Sequence, residues 1–142
     1  METTEVKIAS NDEEISSCFE TMSLLRPGLQ AENFVSQVKA MKEEGYVLLY
    51  IQDGERVVAV AGYRILTMLY AGKLLYIDDL VTIESHRGKG YASRLLYHVY
   101  QRARQKNCIS VQLDSGYART EAHKLYFKEK FSINAFHFTR QL

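Results

Sequence analysis

The sequence predicts an α+β fold in which a mixed, mostly antiparallel sheet is flanked by helices. Two observations predict it: strand-like segments and short turns dominate the first half of the chain, and one long helical pattern separates two of the later strands. The chain has 142 residues, of which 46% are hydrophobic. A chain of this length buries enough surface to fold without a disulfide or a structural metal. We therefore predict one domain over residues 1–142.

The first half of the chain is predicted to form two helices and an antiparallel sheet. Val6–Ala9 alternates like a strand. Asn11 followed by Glu14 resembles a capping box that begins a helix ending near Leu25. A second helix is predicted to end at Gly45, with the apolar face Phe34, Val35, Val38 and Met41. Three strands follow, at Tyr46–Gln52, Arg56–Leu69 and Leu74–Thr82, and a hairpin turn at Asp53–Gly54 joins the first two.

The second half is organised by the strongest helical pattern in the sequence. Its apolar positions recur at i, i+3, i+4, i+7, i+8 and i+11, and they are Ala92, Leu95, Leu96, Val99, Tyr100 and Ala103. Asn107 is suited to the left-handed conformation that ends such a helix. A strand at Cys108–Asp114 completes a strand–helix–strand crossover with Leu74–Thr82, so these two strands should be parallel. A helix at Thr120–Glu129 and a closing strand at Ile133–Phe138 follow.

Charge and composition exclude several classes of protein. Lys and Arg number 18 and Asp and Glu 17, so a net charge of +1 provides no strong field for nucleic acid or an anionic membrane. The N-terminus is polar, and no apolar run reaches the roughly 18 residues that span a bilayer. Cys18 and Cys108 show no paired spacing, and the histidines show no metal-ligand spacing. We expect a cytoplasmic protein with no metal, no membrane partner and no nucleic-acid partner.

A glycine-rich turn, Arg87-Gly88-Lys89-Gly90-Tyr91-Ala92, joins a predicted strand to the long helix. Glycines let backbone N–H groups approach an anion, and a helix N-terminus carries about half a positive charge. The turn is therefore predicted to bind a phosphate or pyrophosphate. The alternative is a solvated turn whose glycines only permit left-handed backbone. The turn is neither a P-loop, which needs Lys-Ser/Thr after its last glycine, nor the three-glycine turn of a doubly wound fold.

The same turn resembles motif A of the GCN5-related N-acetyltransferases, the GNAT family. The family pattern Gln/Arg-x-x-Gly-x-Gly/Ala is filled by Arg87, Gly90 and Ala92. The segments 76–82, Tyr-Ile-Asp-Asp-Leu-Val-Thr, and 122–131, Ala-His-Lys-Leu-Tyr-Phe-Lys-Glu-Lys-Phe, are similar to family segments in the same order. The first 45 residues carry no diagnostic motif. The resemblance implies the three-layer αβα fold of this family.

The resemblance also implies a function and a set of binding residues. It implies an N-acetyltransferase that uses acetyl-CoA as co-substrate and acts on a small-molecule or peptide amine by direct attack in a ternary complex. The implied coenzyme-binding residues are Leu80, Val81 and Thr82 for the pantetheine arm and thioester, and Arg87, Gly88, Lys89, Gly90, Tyr91 and Ala92 for the pyrophosphate. A non-catalytic sensor that binds acyl-CoA is the alternative. A monomer and a homodimer are both compatible with the sequence.

Transfer to an amine needs a proton acceptor, because an alkyl amine with a pKa of about 10.4 arrives protonated. The candidates are Asp78 and Asp79, and neighbouring residues of a strand point to opposite faces, so at most one should face the acceptor. Asp79 matches an acidic position common in the family. Structural roles for both carboxylates, and a base that acts through water, are the alternatives. The segments Leu24–Gln30 and Tyr63–Tyr70 are candidates to line the acceptor pocket.

The resemblance implies that Tyr126 donates a proton to the departing CoA thiolate. Spacing alone predicts a core aromatic residue, because Ala122, Leu125 and Tyr126 share one helix face. Two positions depart from the family pattern. Arg119 stands where the family often has an asparagine that holds pantetheine, and Lys130 stands where a glycine usually precedes the final phenylalanine. We expect a lost or charged coenzyme contact at Arg119 and a different turn at Lys130.

Overall fold

The computed structural model describes residues 5–142, so residues 1–4 of the N-terminus, which the sequence analysis describes as polar, lie outside the described part. The described chain forms two compact units, of which the first ends at Gln112 and the second begins at Leu113. The prediction of one domain over residues 1–142 therefore stays a prediction. Within residues 5–142, no helix is long and apolar enough to cross a bilayer.

The elements follow the predicted order up to the last helix. They are β1 (Lys7–Ile8), α1 (Asp12–Ser17), α2 (Phe19–Leu25), α3 (Ala31–Glu43), β2 (Val47–Asp53), β3 (Arg56–Met68), β4 (Gly72–Thr82), a 3₁₀ turn (Glu84–His86), α4 (Tyr91–Gln105), β5 (Ser110–Leu113) and α5 (Thr120–Lys128). The last residue of β5 begins the second unit, to which α5 belongs.

The sheet lies between two layers of helices in the first unit. Its strand order is β1-β2-β3-β4-β5, and the first three neighbouring pairs are antiparallel. The predicted mixed sheet with flanking helices is confirmed. Leu48 and Tyr50 of β2 pack in one buried cluster with side chains of α1, α2 and α3. Because side chains alternate along a strand, Leu49 and Ile51 face the opposite side, and α4 contacts the sheet over β2, β3 and β4.

The first predicted helix begins where expected but is interrupted. The Asn11 side chain accepts a hydrogen bond from the Glu14 N–H at 2.8 Å, which confirms the predicted N-cap. The single helix predicted to end near Leu25 is instead two helices, α1 and α2, that meet at Cys18. The Ser17 hydroxyl and the Cys18 thiol both donate to the Glu14 carbonyl oxygen, at 2.6 and 3.4 Å. These side-chain bonds compete with the helical backbone bonds, which favours the interruption.

The predicted ends of the two longer helices are confirmed. Gly45 follows α3 with a φ of 95°, and Asn107 follows α4 with a φ of 62°. Both values are left-handed, a conformation that glycine adopts freely and asparagine adopts more readily than most residues. The sequence therefore contains the local signals that end both helices.

The closing strand predicted at Ile133–Phe138 is wrong. The described residues after α5 form no strand, and Phe136 and Phe138 expose 86% and 91% of their surface. The large apolar residues of this segment stand at positions 133, 136 and 138, so they do not share one face of an extended chain. Without a common apolar face, little burial energy offsets the entropy of fixing the segment in a ladder.

Candidate active site

The turn before α4 leads into a helix start that has no side-chain cap. Gly88 and Gly90 have left-handed φ values of 76° and 86°, and a Cβ added at either would meet no atom within 4 Å. Gly90 is the N-cap of α4, where no side chain accepts a hydrogen bond, and the first turn of the helix contains no acidic residue. A helix leaves its first N–H groups without intrahelical partners. Together with the exposed cations Arg87 and Lys89, this turn suits an anionic ligand.

A set of side-chain contacts holds the start of this turn. The His86 Nε2 lies 2.8 Å from a carboxylate oxygen of Asp53 in the β2–β3 hairpin, and its Nδ1 lies 2.9 Å from the Ser85 hydroxyl. The His86 ring packs against Tyr91, with 5.7 Å between the ring centroids. The Arg87 Nε donates to the Thr82 carbonyl oxygen at 3.2 Å. The turn is thereby tied to the hairpin, to α4 and to the end of β4.

The end of β4 extends past the neighbouring strand β5. Leu80, Val81 and Thr82 pair with residues of β3 on one edge. On the other edge, the Ile109 N–H donates to the Lys73 carbonyl oxygen at 2.8 Å, which places the start of β5 beside the start of β4. Because β5 has only four residues and β4 has eleven, β5 does not reach the last three residues of β4 in either direction. That edge of β4 is therefore not covered by β5.

A β-bulge lies where β4 carries its two carboxylates. Gly62 of β3 pairs with Asp79 and Tyr63 pairs with Ile77, so Asp78 is the extra residue. Bulges interrupt strict alternation and re-aim side chains. The expectation that regular alternation separates the two carboxylates therefore does not apply here.

The Asp79 carboxylate receives hydrogen bonds from two different elements. The Arg26 Nε, from the segment between α2 and α3, donates to Oδ1 at 3.0 Å, and the Tyr46 hydroxyl donates to Oδ2 at 2.7 Å. The Asp79 side chain is 11% exposed. Burial and the negative charge of Asp79 raise the pKa of Tyr46, so its phenol is protonated and acts as the donor.

Asp78 makes a separate ion pair with Arg64 of β3. The Arg64 Nη2 donates to its Oδ2 at 2.8 Å, and the Arg64 Nε is 3.1 and 3.2 Å from the two oxygens. Burial raises the pKa of the Asp78 carboxyl, whereas the hydrogen bonds from Arg64 lower it. The guanidinium of Arg64 also lies over the Tyr46 ring, 5.5 Å from its centroid. Arg64 and Tyr46 thus connect Asp78 and Asp79 in one network.

Three members of this network were not identified from the sequence. Arg26 lies within the segment Leu24–Gln30 and Arg64 within the segment Tyr63–Tyr70, both candidates to line the acceptor pocket, and the sequence predicts Tyr46 only as the start of a strand. The bonds that join them to the carboxylates span 14 to 53 residues. The periodicity of apolar residues predicts local secondary structure, and it does not indicate which distant side chains come into contact. The one local signal is Gly62, an isolated glycine inside an apolar strand, which indicates close approach of another group.

The second unit contains Tyr126 and Arg119. Tyr126 is buried, and its ring packs edge-on against Phe131 with 5.9 Å between the centroids. Burial raises the pKa of the Tyr126 phenol, and the positive charge of Arg119 opposes that change. Arg119 is exposed at the N-cap of α5 and makes no side-chain capping bond.

The expected difference in the turn at Lys130 is not observed. Lys130 has a φ of 69°, the left-handed conformation in which helices often end with glycine. The Phe131 N–H donates to the Tyr126 carbonyl oxygen at 2.9 Å, and the Lys130 N–H donates to the Phe127 carbonyl oxygen at 3.0 Å. These are the two bonds of a Schellman helix end. The lysine therefore preserves this type of turn, at the steric cost of a Cβ in left-handed backbone.

A sequence profile of a known protein family matches most of the chain and shows which family it belongs to. The sequence profile described as the Acetyltransferase (GNAT) family matches residues 11–131. The chain belongs to the GNAT family of acetyltransferases. The resemblance drawn from the three sequence segments is confirmed, and this GNAT protein is an acyltransferase.

Individual relatives agree with this membership. The GNAT chain is 31% identical over 137 residues to the uncharacterized N-acetyltransferase YhdJ of Bacillus subtilis (strain 168), a match that covers 95% of this chain and 96% of the relative. It is 28% identical over 94 residues to the aminoalkylphosphonate N-acetyltransferase of Salmonella typhimurium, which covers 66% of this chain and 61% of that protein.

Solved structures show the same fold. The aminoglycoside N-acetyltransferase AAC(6′)-Iy in complex with CoA superposes with a TM-score of 0.83, over 99% of this chain and 97% of that chain. The two sequences are only 14% identical, so the likeness concerns the fold.

Proposed function

We propose that this GNAT protein transfers an acetyl group from acetyl-CoA to a primary amine, by direct attack of the amine in a ternary complex. The observation that carries the proposal is the turn Arg87–Ala92. Its two left-handed glycines, the uncapped start of α4 and the lack of acidic residues in the first turn form a site suited to pyrophosphate. Bound acetyl-CoA would supply an activated thioester.

The part of the β4 edge that β5 does not cover supports a role in orienting the acyl donor. A strand edge presents N–H and C=O groups in a regular row, and an extended chain can pair with them. Leu80, Val81 and Thr82 lie on this edge between the carboxylates and the pyrophosphate turn. In the proposal, their backbone binds the pantetheine arm and one N–H polarises the thioester carbonyl. A preorganised donor of this kind contributes roughly 10²–10³ in rate.

Asp79 is the proposed proton acceptor. An ionised carboxylate has about four lone-pair sites, and the bonds from Arg26 and Tyr46 use two of them. The carboxylate is thus held in place while it can still accept a proton from the amine, directly or through water. Asp78, the other sequence candidate, has both oxygens within hydrogen-bond distance of Arg64. We assign Asp78 mainly to the ion pair that fixes the bulge.

Direct attack is preferred to an acyl-cysteine intermediate. Cys18 is fully buried, and burial raises its pKa to about 12, so it stays a thiol near neutral pH. Cys108 is partly exposed. Neither cysteine belongs to the pyrophosphate turn or to the carboxylate network. We therefore place no covalent step on the protein.

Tyr126 is the proposed acid that protonates the CoA thiolate. The family motif supports this role. Burial raises the pKa of the phenol, so Tyr126 is protonated at neutral pH but is a weaker acid than an exposed tyrosine. We expect Tyr126→Phe to lower kcat about 10- to 100-fold while the Kd for acetyl-CoA changes little. Stopped-flow turnover and calorimetric binding measure the two quantities. Tyr117→Phe, which alters an exposed phenol of the same unit, is the matched control. An unchanged kcat in Tyr126→Phe would remove the residue as the acid.

The amine acceptor is proposed by class only. Two named relatives act on aminoalkylphosphonates and aminoglycosides, so amines of these two kinds are the first to test. The experiment measures CoA thiol release with acetyl-CoA and a panel of such amines, together with calorimetric binding of CoA. Release that depends on the amine supports the proposed function. CoA binding without release on any amine would favour the sensor alternative, and a lack of CoA binding would overturn both.

A further inference from the structure

Tyr46 reaches Asp79 from the far side of strand β3. It lies one residue before β2 (Val47–Asp53), whereas Asp79 belongs to β4, and β3 lies between these two strands. The residue of β3 opposite Asp79 is Gly62. A Cβ on Gly62 would overlap the hydroxyl and the ring of Tyr46. The Tyr46 side chain therefore occupies the space that any larger residue at position 62 would fill.

The backbone at Gly62 gives no other reason for a glycine. Gly62 is not among the residues with left-handed φ, so its conformation is open to ordinary L-residues. A glycine inside a strand weakens it through lost packing and greater entropy loss. The feature that requires a glycine at this position is the passage of Tyr46.

The two donors to Asp79 approach it from separate parts of the fold. Tyr46 binds Oδ2 from the β2 side, and Arg26 binds Oδ1 from the segment between α2 and α3. Arg26 also donates through Nη2 to the Asp78 carbonyl oxygen at 2.8 Å. With one donor on each oxygen, rotation of the carboxylate is restricted. Tyr46 is 3% exposed, so water does not readily replace its hydroxyl.

We propose that Tyr46 is a positioning residue for the Asp79 carboxylate, and that Gly62 is required because it leaves Tyr46 room to cross β3. The inference rests on the proposed function, in which Asp79 accepts the proton of the amine. Tyr46 itself does not exchange a proton in the reaction. Its hydroxyl orients the carboxylate that accepts the proton.

The test compares Tyr46→Phe with Tyr50→Phe. Tyr50 is the matched control because it is equally buried, lies in β2 and donates its hydroxyl to another carboxylate, Glu14, at 2.9 Å. We expect Tyr46→Phe to lower kcat/KM about tenfold or more, because the carboxylate is no longer held in one orientation. The loss should fall on kcat, while the Kd for CoA stays near the wild-type value. Tyr50→Phe should keep the wild-type kcat/KM and CoA affinity.

A second measurement separates this inference from the proposed function. Carbon-13 NMR follows the Asp79 carboxyl signal, which is assigned by its absence in Asp79→Asn. At neutral pH the signal should shift in Tyr46→Phe and in Gly62→Ala, because the carboxylate loses a hydrogen-bond donor, and stay unchanged in Tyr50→Phe. An unchanged signal in Tyr46→Phe overturns the inference even if the enzyme is active. If the wild-type chain acetylates no amine, the proposed function fails, and the carboxyl signal still decides the role of Tyr46.

Discussion

Replacement of Asp79 with asparagine is expected to lower kcat for amine acetylation by about 10²–10⁴-fold, the usual contribution of general base catalysis. Asparagine keeps the shape of the side chain, and its carbonyl oxygen can still accept the hydrogen bond from Arg26. It cannot take up the proton of an ammonium group. In the variant, only amine that is already deprotonated can attack, so the residual rate should rise about tenfold per pH unit toward the amine pKa of about 10.4.

The measurement is the ratio of wild-type to Asp79→Asn kcat between neutral pH and pH about 10. A ratio that shrinks as pH rises supports the role of a base, because hydroxide and free amine replace the missing carboxylate. Asp78→Asn is the comparison variant: it removes an adjacent carboxylate whose contacts are to Arg64. We expect it to lose thermal stability and less than about tenfold in kcat, since the ion pair is only partly buried. A ratio that is constant with pH would contradict proton transfer to Asp79.

The conformation of the turn Arg87–Ala92 could be predicted from the sequence because its determinants are local. Gly88 and Gly90 set the backbone conformation, and the helix that follows them has an apolar stripe whose members Leu95, Leu96 and Val99 are fully buried. The two glycines and the apolar stripe lie together in the segment from Gly88 to Val99. The same holds for the Asp53–Gly54 hairpin, where Gly54 has a φ of 65°, and for the helix end at Asn107.

The surroundings of the carboxylates could not be predicted in the same way. The positions of Asp78 and Asp79 late in a strand were visible, but the bulge that re-aims them depends on register with β3. Their partners Arg26 and Tyr46 come from segments without a family motif. The local pattern predicts the secondary structure around these residues. Which elements come into contact is set by packing over the whole sheet.

The wrong predictions have a common physical origin. Local pattern extended the first helix through Cys18, where hydroxyl and thiol bonds to Glu14 interrupt it. Local pattern also placed a strand at Ile133–Phe138, although a strand needs a neighbour and a common buried face. Helix propensity in the first case and strand propensity in the second are weak determinants of structure. Competing hydrogen bonds decide the first case, and the lack of a pairing partner decides the second.

Replacement of Gly90 with valine is expected to weaken CoA binding by about 5- to 30-fold or more. Gly90 has a φ of 86°, and left-handed backbone costs an L-residue about 1–2 kcal/mol, which corresponds to that factor in Kd. A β-branched residue is among the least tolerant of this conformation. No atom lies within 4 Å of the new Cβ, so the effect comes from the backbone and not from a clash within the protein.

Titration calorimetry with CoA measures the Gly90→Val effect, and Gly45→Val is the matched control. Gly45 also has a left-handed φ, 95°, and open space at its Cβ position, but it follows α3 and lies outside the pyrophosphate turn. Gly90→Val should lose less stability in thermal unfolding than Gly45→Val, because the exposed turn can relax in the free protein and then pays the strain when it binds CoA. Only Gly90→Val should lose CoA affinity, since the strained turn must regain its conformation to direct N–H groups at the pyrophosphate. Equal Kd values for both variants would show that this turn does not bind the coenzyme.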